Sequence, residues 1–303
     1  MIDNIDISTK EFLNWESNKL IQDIRRTGKD HYRGYIKNIK INQNLDGCFI
    51  CGSIAKYLNG QNIQPLTREE IKQSLLCLQK DTGLDFSKAI IRSVEIGTSI
   101  IIKKPVSEYL NCFDYMNNSK YKLFECGSFG RESLCYTTKT GGFKFSCYDK
   151  IQEMNDKRQT IPELYKNCFV IRLELKIKNR QTIRGIFKKD LTPLELADKQ
   201  VLAELQKQFS KFYKLVPKTK RIVYLPISKA VTPAELEKLQ AAAYRQEHSQ
   251  DYANIIKTGK DKGFFSDKTL ERIRAKNKQN TTYSEKNELI NELDEKLRLR
   301  GFY

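Results

Sequence analysis

Histidine is scarce in this chain, with only His31 and His248 among 303 residues. Two isolated histidines exclude a His-hydrophobe-His metal site and argue against acid–base catalysis by imidazole. His31, in the stretch HYRGY, is the one histidine that we consider as an additional metal ligand. The more ordinary interpretation is a hydrogen-bonded histidine at the start of a strand.

Long apolar runs are also missing, since no stretch approaches the roughly 20 residues needed to cross a bilayer. The first six residues are acidic and lack the basic and apolar regions of a signal peptide. We therefore expect a cytoplasmic protein without a membrane partner, whose eight cysteines are reduced.

A second cysteine pair is absent as well. The stretch CFIC at 48–51 is the only CxxC motif, and no nearby histidine completes a zinc site. Both cysteines lie in a predicted strand, so we expect neither a metal nor a redox role for them.

Positive charge is abundant, with 54 Lys and Arg against 37 Asp and Glu, a net charge of +17 and a pI of about 9.4. This excess indicates a polyanionic partner, of which nucleic acid is the most common. The alternative is a soluble protein that is merely basic. The positive charge is spread over both halves of the chain, which favours a protein that holds nucleic acid with both.

Alternating and β-branched segments predict strands through the first 180 residues. They span residues 32–41, 48–53, 89–102, 120–125, 133–137, 143–147 and 169–178. The stretch TREE at 67–70 predicts a capping box that begins a helix ending at Gly83. The fold class is therefore α+β, a predominantly antiparallel central sheet with flanking helices.

Helical patterns replace strands from about residue 184. They cover residues 193–215, 233–256, 267–278 and 284–299, with one strand-like segment at 221–225. We predict two domains, an α+β domain over residues 1–183 and a mainly helical, basic region over residues 184–303.

Three polar groups occupy the non-core faces of the predicted strands: Glu95, Tyr148 and Glu174. If these strands share a sheet, two carboxylates can hold a hard divalent cation. A tyrosine hydroxyl nearby can attack phosphorus. This pattern suits phosphodiester transesterification through a tyrosyl intermediate. Taken alone it is weak, because most Tyr and Glu residues on strands are structural.

Several stretches resemble the gene-two family of replication initiators of filamentous phages and related phages and plasmids. They are GSIAKYLNGQN (52–62), IIRSVEIGT (90–98), IIKKPVSEYL (101–110), CYDKIQE (147–153), IPELYKN (161–167) and VIRLELKIK (170–178). The order of an RxxE strand (92–95), YxK (148–150) and an RxE strand (172–174) is also similar to the rolling-circle initiators of small staphylococcal plasmids. The resemblance implies a nickase-like fold in residues 1–183. The basic helical region over residues 184–303 would then bind the origin or have a structural role.

The resemblance also implies an activity, site-specific nicking and joining of one strand at a replication origin. Tyr148 would be the nucleophile that becomes linked to the 5′ phosphate, and Glu95 and Glu174 would bind Mg²⁺ or Mn²⁺. Lys150 and Arg172 would contact the scissile phosphate. The partners implied are origin DNA (a single-stranded or hairpin nick site), a host helicase and, in some relatives, a second copy of the chain.

Two other functions stay open at this point. One is a non-catalytic DNA-binding protein that uses the same basic surface as an origin binder or repressor. The other is an RNA-binding or RNA-processing protein, which the 15 Tyr and 15 Phe residues permit but no clear aromatic RNA motif supports. The sequence also leaves open whether Asp149 and Lys150 continue a strand or start a helix, which decides whether Lys150 shares the face of Tyr148.

Overall fold

Ten antiparallel strands form one sheet in the order β2-β3-β4-β5-β1-β6-β10-β9-β8-β7. The computed structural model describes residues 2–28, 30–113, 133–216 and 288–302, the backbone of residues 121–125, and scattered residues from 218 to 272. The strands are β1 (Ile2–Thr9), β2 (Gln22–Gly28), β3 (His31–Ile36), β4 (Ile39–Asn44), β5 (Gly47–Ser53), β6 (Ile90–Ile102), β7 (Tyr121–Glu125), β8 (Ser133–Thr138), β9 (Phe143–Asp149) and β10 (Phe169–Ile177). The predicted α+β class is confirmed.

The described residues also form seven helices, of which the first six belong to the same compact unit as the sheet. They are α1 (Ile54–Asn59), α2 (Arg68–Thr82), α3 (Val106–Leu110), α4 (Lys150–Asp156), α5 (Arg180–Phe187), α6 (Lys199–Leu215) and α7 (Glu288–Leu299), with short 3₁₀ turns at Glu163–Tyr165 and Leu194–Ala197. Helix α2 begins at the predicted capping box of Thr67 and Glu70, and Gly83 ends it in the left-handed conformation. No described helix is long and apolar enough to span a membrane.

Strand β6 is the middle of the sheet, because its thirteen residues pair with β1 on one side and β10 on the other. Its β-branched residues suit a strand that is covered on both faces. Helix α6 packs on one face of the neighbouring strands, where the Phe145 and Phe209 rings lie 5.5 Å apart and those of Phe143 and Phe212 lie 4.6 Å apart. The polar side chains of interest lie on the opposite face.

Part of that opposite face is covered too. Met154 of α4, Tyr165 and Ile63 pack against Val170 near the start of β10. The rest, towards Lys176 and the strands β5 to β3, carries half-exposed polar side chains. The border between these two regions is where the candidate site lies.

One strand prediction needs correction, and two strands were missed. Residues 32–41 form two strands rather than one, because Lys37 adopts a positive φ of 52° and the chain turns there. Strands β1 and β2 were not predicted at all. The question at Asp149 is answered: its side chain caps the backbone N–H groups of Ile151 and Gln152, so Lys150 starts helix α4.

The chain divides into two compact units. The first comprises Met1–Leu110, Met116–Val216 and Glu295–Tyr303, and the second comprises Asn111–Tyr115 and Pro217–Asp294. The predicted segments at 221–225 and 233–256, and most of 267–278, lie outside the described residues. The division at residue 183 therefore stays a prediction.

Candidate metal centre and nucleophile

Three carboxylates from three adjacent strands meet on the polar face of the sheet. Asp3 of β1, Glu95 of β6 and Glu174 of β10 each offer an oxygen atom, and these oxygens lie within 4.8 Å of one another. The two predicted carboxylates are thus brought together. Asp3 is the member that sequence reasoning missed; the alternation of apolar and polar residues at 5–8, just after it, is the local signal that could have indicated a strand.

Tyr148 lies beside this cluster, at the end of β9 and directly opposite Arg172 in the sheet. Its hydroxyl donates a hydrogen bond of 2.9 Å to Oε1 of Glu174. Burial, together with the negative charge of Glu174, raises the pKa of Tyr148 far above its usual range. The phenol is therefore neutral here, and its proton already points at a carboxylate.

Arg172 holds two of the three carboxylates in place. Its Nη2 atom lies 2.8 Å from Oδ2 of Asp3, and its Nε lies 3.0 Å from Oε1 of Glu174. The Nη1 atom donates to Oγ of Ser99 and to the backbone carbonyl of Asn62, both at 3.0 Å. Most of the guanidinium N–H donors are thus directed at protein atoms.

Alternation over residues 169–178 predicts one buried face, which includes Phe169, and one wet or functional face, which includes Arg172. In the structure Arg172 is only 1% exposed, whereas Phe169 is 44% exposed. The small residues of β6 explain how the guanidinium fits. A Cβ on Gly97 would lie 2.7 Å from Nη2 of Arg172, so the space that small neighbours leave beside Glu95 is filled by this side chain.

Lys150 reaches the cluster indirectly. Its buried ammonium donates to Oδ1 of Asn62 at 3.0 Å and pairs with Glu153 at 2.5 Å. Asn62 in turn donates from Nδ2 to Oδ2 of Asp3 at 2.7 Å. Burial lowers the pKa of Lys150, against the hydrogen bond and charge of Glu153. The structure thus links Lys150 to Asp3 through one amide side chain.

Of the three carboxylates, Glu95 has the negative charge that is least compensated by neighbouring cations. Asn4 donates to its Oε1 at 2.6 Å, but no cation contacts it directly among the described residues. Burial, followed by the charges of Glu174 and Asp3, raises the pKa of Glu95 to about 7. His31 is not part of the cluster, and it is an exposed residue at the start of β3.

The donor set suits a hard divalent cation. All three groups are carboxylates, the ligand type that Mg²⁺ and Mn²⁺ prefer, and one guanidinium balances three negative charges incompletely. A divalent ion held by Asp3, Glu95 and Glu174 would remove this imbalance.

The close approach of β6 and Arg172 generates a prediction about stability. Gly97→Ala should lower the free energy of unfolding by about 1–3 kcal/mol, because the buried guanidinium cannot move away from the new methyl group. Gly185→Ala is the matched control, since a Cβ there meets nothing within 4 Å and helix α5 should tolerate it. Urea unfolding measures both, and equal effects of the two substitutions would contradict this account.

The raised pKa of Glu95 generates a second prediction. Without metal, the folded chain binds a proton at Glu95 that the unfolded chain has already lost, so its free energy of unfolding falls as pH rises from about 4.5 through 7. Glu95→Gln should remove this fall and stabilise the metal-free protein at pH 8 by about 1–3 kcal/mol. Below pH 5 the variant and the wild type should converge.

Thermal unfolding in a chelator, repeated with Mn²⁺, checks this prediction. Mn²⁺ should raise the Tm of the wild type and of Glu69→Gln, an exposed control on α2, but not that of Glu95→Gln. A Glu95→Gln protein that is less stable than the wild type at pH 8 in chelator would refute the electrostatic argument.

Comparison with known proteins supports one family. A comparison with curated proteins found no match, and the predicted likeness to staphylococcal plasmid initiators stays a prediction. A family model for the N-terminal part of the replication-associated protein encoded by phage gene two matches residues 3–192, more than half of the chain. The matched range includes all three carboxylates and Tyr148. The chain therefore belongs to this family of rolling-circle replication initiators.

Proposed function

We propose that the chain starts replication by nicking one DNA strand at an origin, with Tyr148 as the nucleophile and a divalent cation at Asp3, Glu95 and Glu174. The observation that carries this proposal is the hydrogen bond of 2.9 Å from the Tyr148 hydroxyl to Glu174. It puts a tyrosine oxygen in direct contact with one carboxylate of the cluster.

In the proposed step the Tyr148 oxygen attacks phosphorus while Glu174 accepts the phenolic proton. A bond forms between the tyrosine oxygen and the phosphorus, and the bond from phosphorus to the 3′ oxygen breaks. The products are a 5′ phosphate linked to Tyr148 and a 3′ hydroxyl, which takes up the proton. The reverse reaction rejoins the strand.

A divalent cation held by Asp3, Glu95 and Glu174 would allow a phenol with a raised pKa to react. When bound, Mg²⁺ or Mn²⁺ polarises the phosphate and offsets charge that develops on oxygen. The chain's own contribution is to hold three carboxylates close together and to keep Tyr148 within hydrogen-bonding distance of one of them.

In this proposal Arg172 and Lys150 position the carboxylates of the cluster. The phosphate contact predicted for them from the resemblance remains a prediction. The contacts support a different use, because Arg172 spans Asp3 and Glu174 while Lys150 supports Asp3 through Asn62.

The net charge of +17 supports DNA as the partner, since each neutralised phosphate releases counterions. A nick site in single-stranded or hairpin DNA, a host helicase, a second copy of the chain and a cytoplasmic location follow from the family as expectations. Contacts between origin DNA and the region beyond residue 183 are a further expectation.

Mass spectrometry of the protein after incubation with origin single strand and Mn²⁺ tests the mechanism. A nucleotide adduct should appear on Tyr148, and Tyr148→Phe should abolish both the adduct and nicking while DNA binding persists. Tyr165→Phe, which removes the hydroxyl of a buried tyrosine outside the carboxylate cluster, should still nick. An adduct on Tyr136 or Tyr165 would relocate the nucleophile.

The same experiment addresses the second candidate function, a non-catalytic DNA-binding protein. Its basis is the same basic composition, and it requires neither a cation nor Tyr148. Binding of the origin without metal-dependent cleavage by the wild type would favour it over the proposed nickase.

A further inference from the structure

The polar face of the sheet continues beyond the carboxylates onto β5, β4 and β3. Cross-strand pairing aligns its residues in two neighbouring rows. One row comprises Asp6, Cys51, Lys40 and Tyr35, and the other comprises Ser8, Phe49, Asn42 and Arg33. On the other side of β6, Lys176 pairs with both Glu95 and Lys144. The side chains of paired residues point to the same side of a sheet, so this face is continuous with the site.

Five cations from five strands occupy this surface, which we call the cationic face: Arg33, Lys40, Arg92, Lys144 and Lys176. An irregularity between β1 and β6 lies at Arg92 and turns its guanidinium over the Phe49 ring, at 5.2 Å from the centroid. None of the five forms a salt bridge with a carboxylate in the part of the chain that the structure describes.

Three of these cations lie close enough to Cys51 to act on the same thiol. Burial and the charge of Asp6 raise the pKa of this thiol, and Lys40, Lys176 and Arg33 oppose that rise. These three cations come from β4, β10 and β3, so their fields overlap above the middle of the face. Phosphate is the anion that such spaced cations recognise in nucleic acids.

Two aromatic rings add a second kind of contact. Tyr35 lies beneath Arg33, whose guanidinium is 5.9 Å from the ring centroid, and Phe49 lies beneath Arg92. Each ring supports a guanidinium, which can stack on a base and neutralise a phosphate of single-stranded nucleic acid.

We propose that the cationic face binds single-stranded DNA adjacent to the phosphate attacked by Tyr148, an inference that rests on the function proposed above. From β9 to β3 the face crosses six strand spacings, about 29 Å at 4.8 Å each. Several nucleotides fit along this length. Duplex DNA fits it poorly, because its major groove of about 12 Å admits a helix or a two-stranded ribbon but not a broad sheet.

The salt dependence of DNA binding tests whether cations of this face contact phosphates. We would measure binding of a mixed-sequence DNA single strand of about 16 nucleotides by fluorescence anisotropy, in chelator so that no cleavage occurs. Lys40→Ala and Lys176→Ala should each reduce the slope of log K against log salt by about 0.7, the value for one lost phosphate contact on a single strand. Lys72→Ala on α2, an exposed lysine outside the sheet, should leave the slope unchanged.

Alkylation of cysteines reports directly whether DNA covers the cationic face. Cys51 is a half-buried free thiol in the middle of the face, and Cys77 and Cys168 are half-buried free thiols outside it. The DNA strand should protect Cys51 from alkylation in the wild type, as measured by mass spectrometry, without changing Cys77 or Cys168. Protection should weaken in the Lys40→Ala, Lys176→Ala double variant.

Unchanged slopes together with unprotected Cys51 would overturn this inference. So would stronger protection of Cys51 by a duplex or by RNA of the same sequence. The two proposals fail separately: a Tyr148 adduct without Cys51 protection refutes only the binding face. Protection without any adduct refutes only the nicking function.

Discussion

The buried guanidinium of Arg172 organises the carboxylate cluster. It spans β10, β6 and β1 by contacting Glu174, Ser99 and Asp3, and it also holds the backbone of Asn62. A charge this deep is tolerated only because carboxylates and oxygen acceptors surround it. Removing it would leave Asp3 and Glu174 facing each other without a counter-charge. The geometry of the proposed metal centre is thus a property of the sheet itself.

Charge compensation at this centre is incomplete, since three carboxylates face one guanidinium. Burial and this deficit together raise the pKa of Glu95 to about 7. The raised pKa lowers the stability of the metal-free chain at neutral pH, and a divalent cation would reverse that effect. Sites that bind or react with charged partners commonly lose stability in this way.

The fold followed largely from local patterns. The strand predicted at 89–102, which is β6, and the capping box of α2 were readable because each depends on neighbours in the sequence. The predictions missed features that depend on contacts between residues distant in the sequence. The start of the chain looked like an unremarkable acidic terminus, yet Asp3 is buried because Ser53, Asn62 and Arg172 donate hydrogen bonds to it from far along the chain. No periodicity in residues 2–9 carries that information.

Arg172 illustrates the same limit of local sequence patterns in a strand that was predicted. Strand alternation correctly separated it from Leu173, but alternation cannot distinguish a wet face from one lined by carboxylates and covered by α4 and the Asn62 loop. Composition and short-range pattern were enough to establish the α+β class, to indicate a polyanionic partner and to point to the residue types of the site.

The arrangement of those residues required the folded chain. Asp3 joins Glu95 and Glu174, Arg172 and Lys150 support them, and Tyr148 contacts Glu174. Almost all of these contacts join strands or loops that are distant in the sequence. Local pattern cannot specify them, because only the register of the assembled sheet brings such residues together.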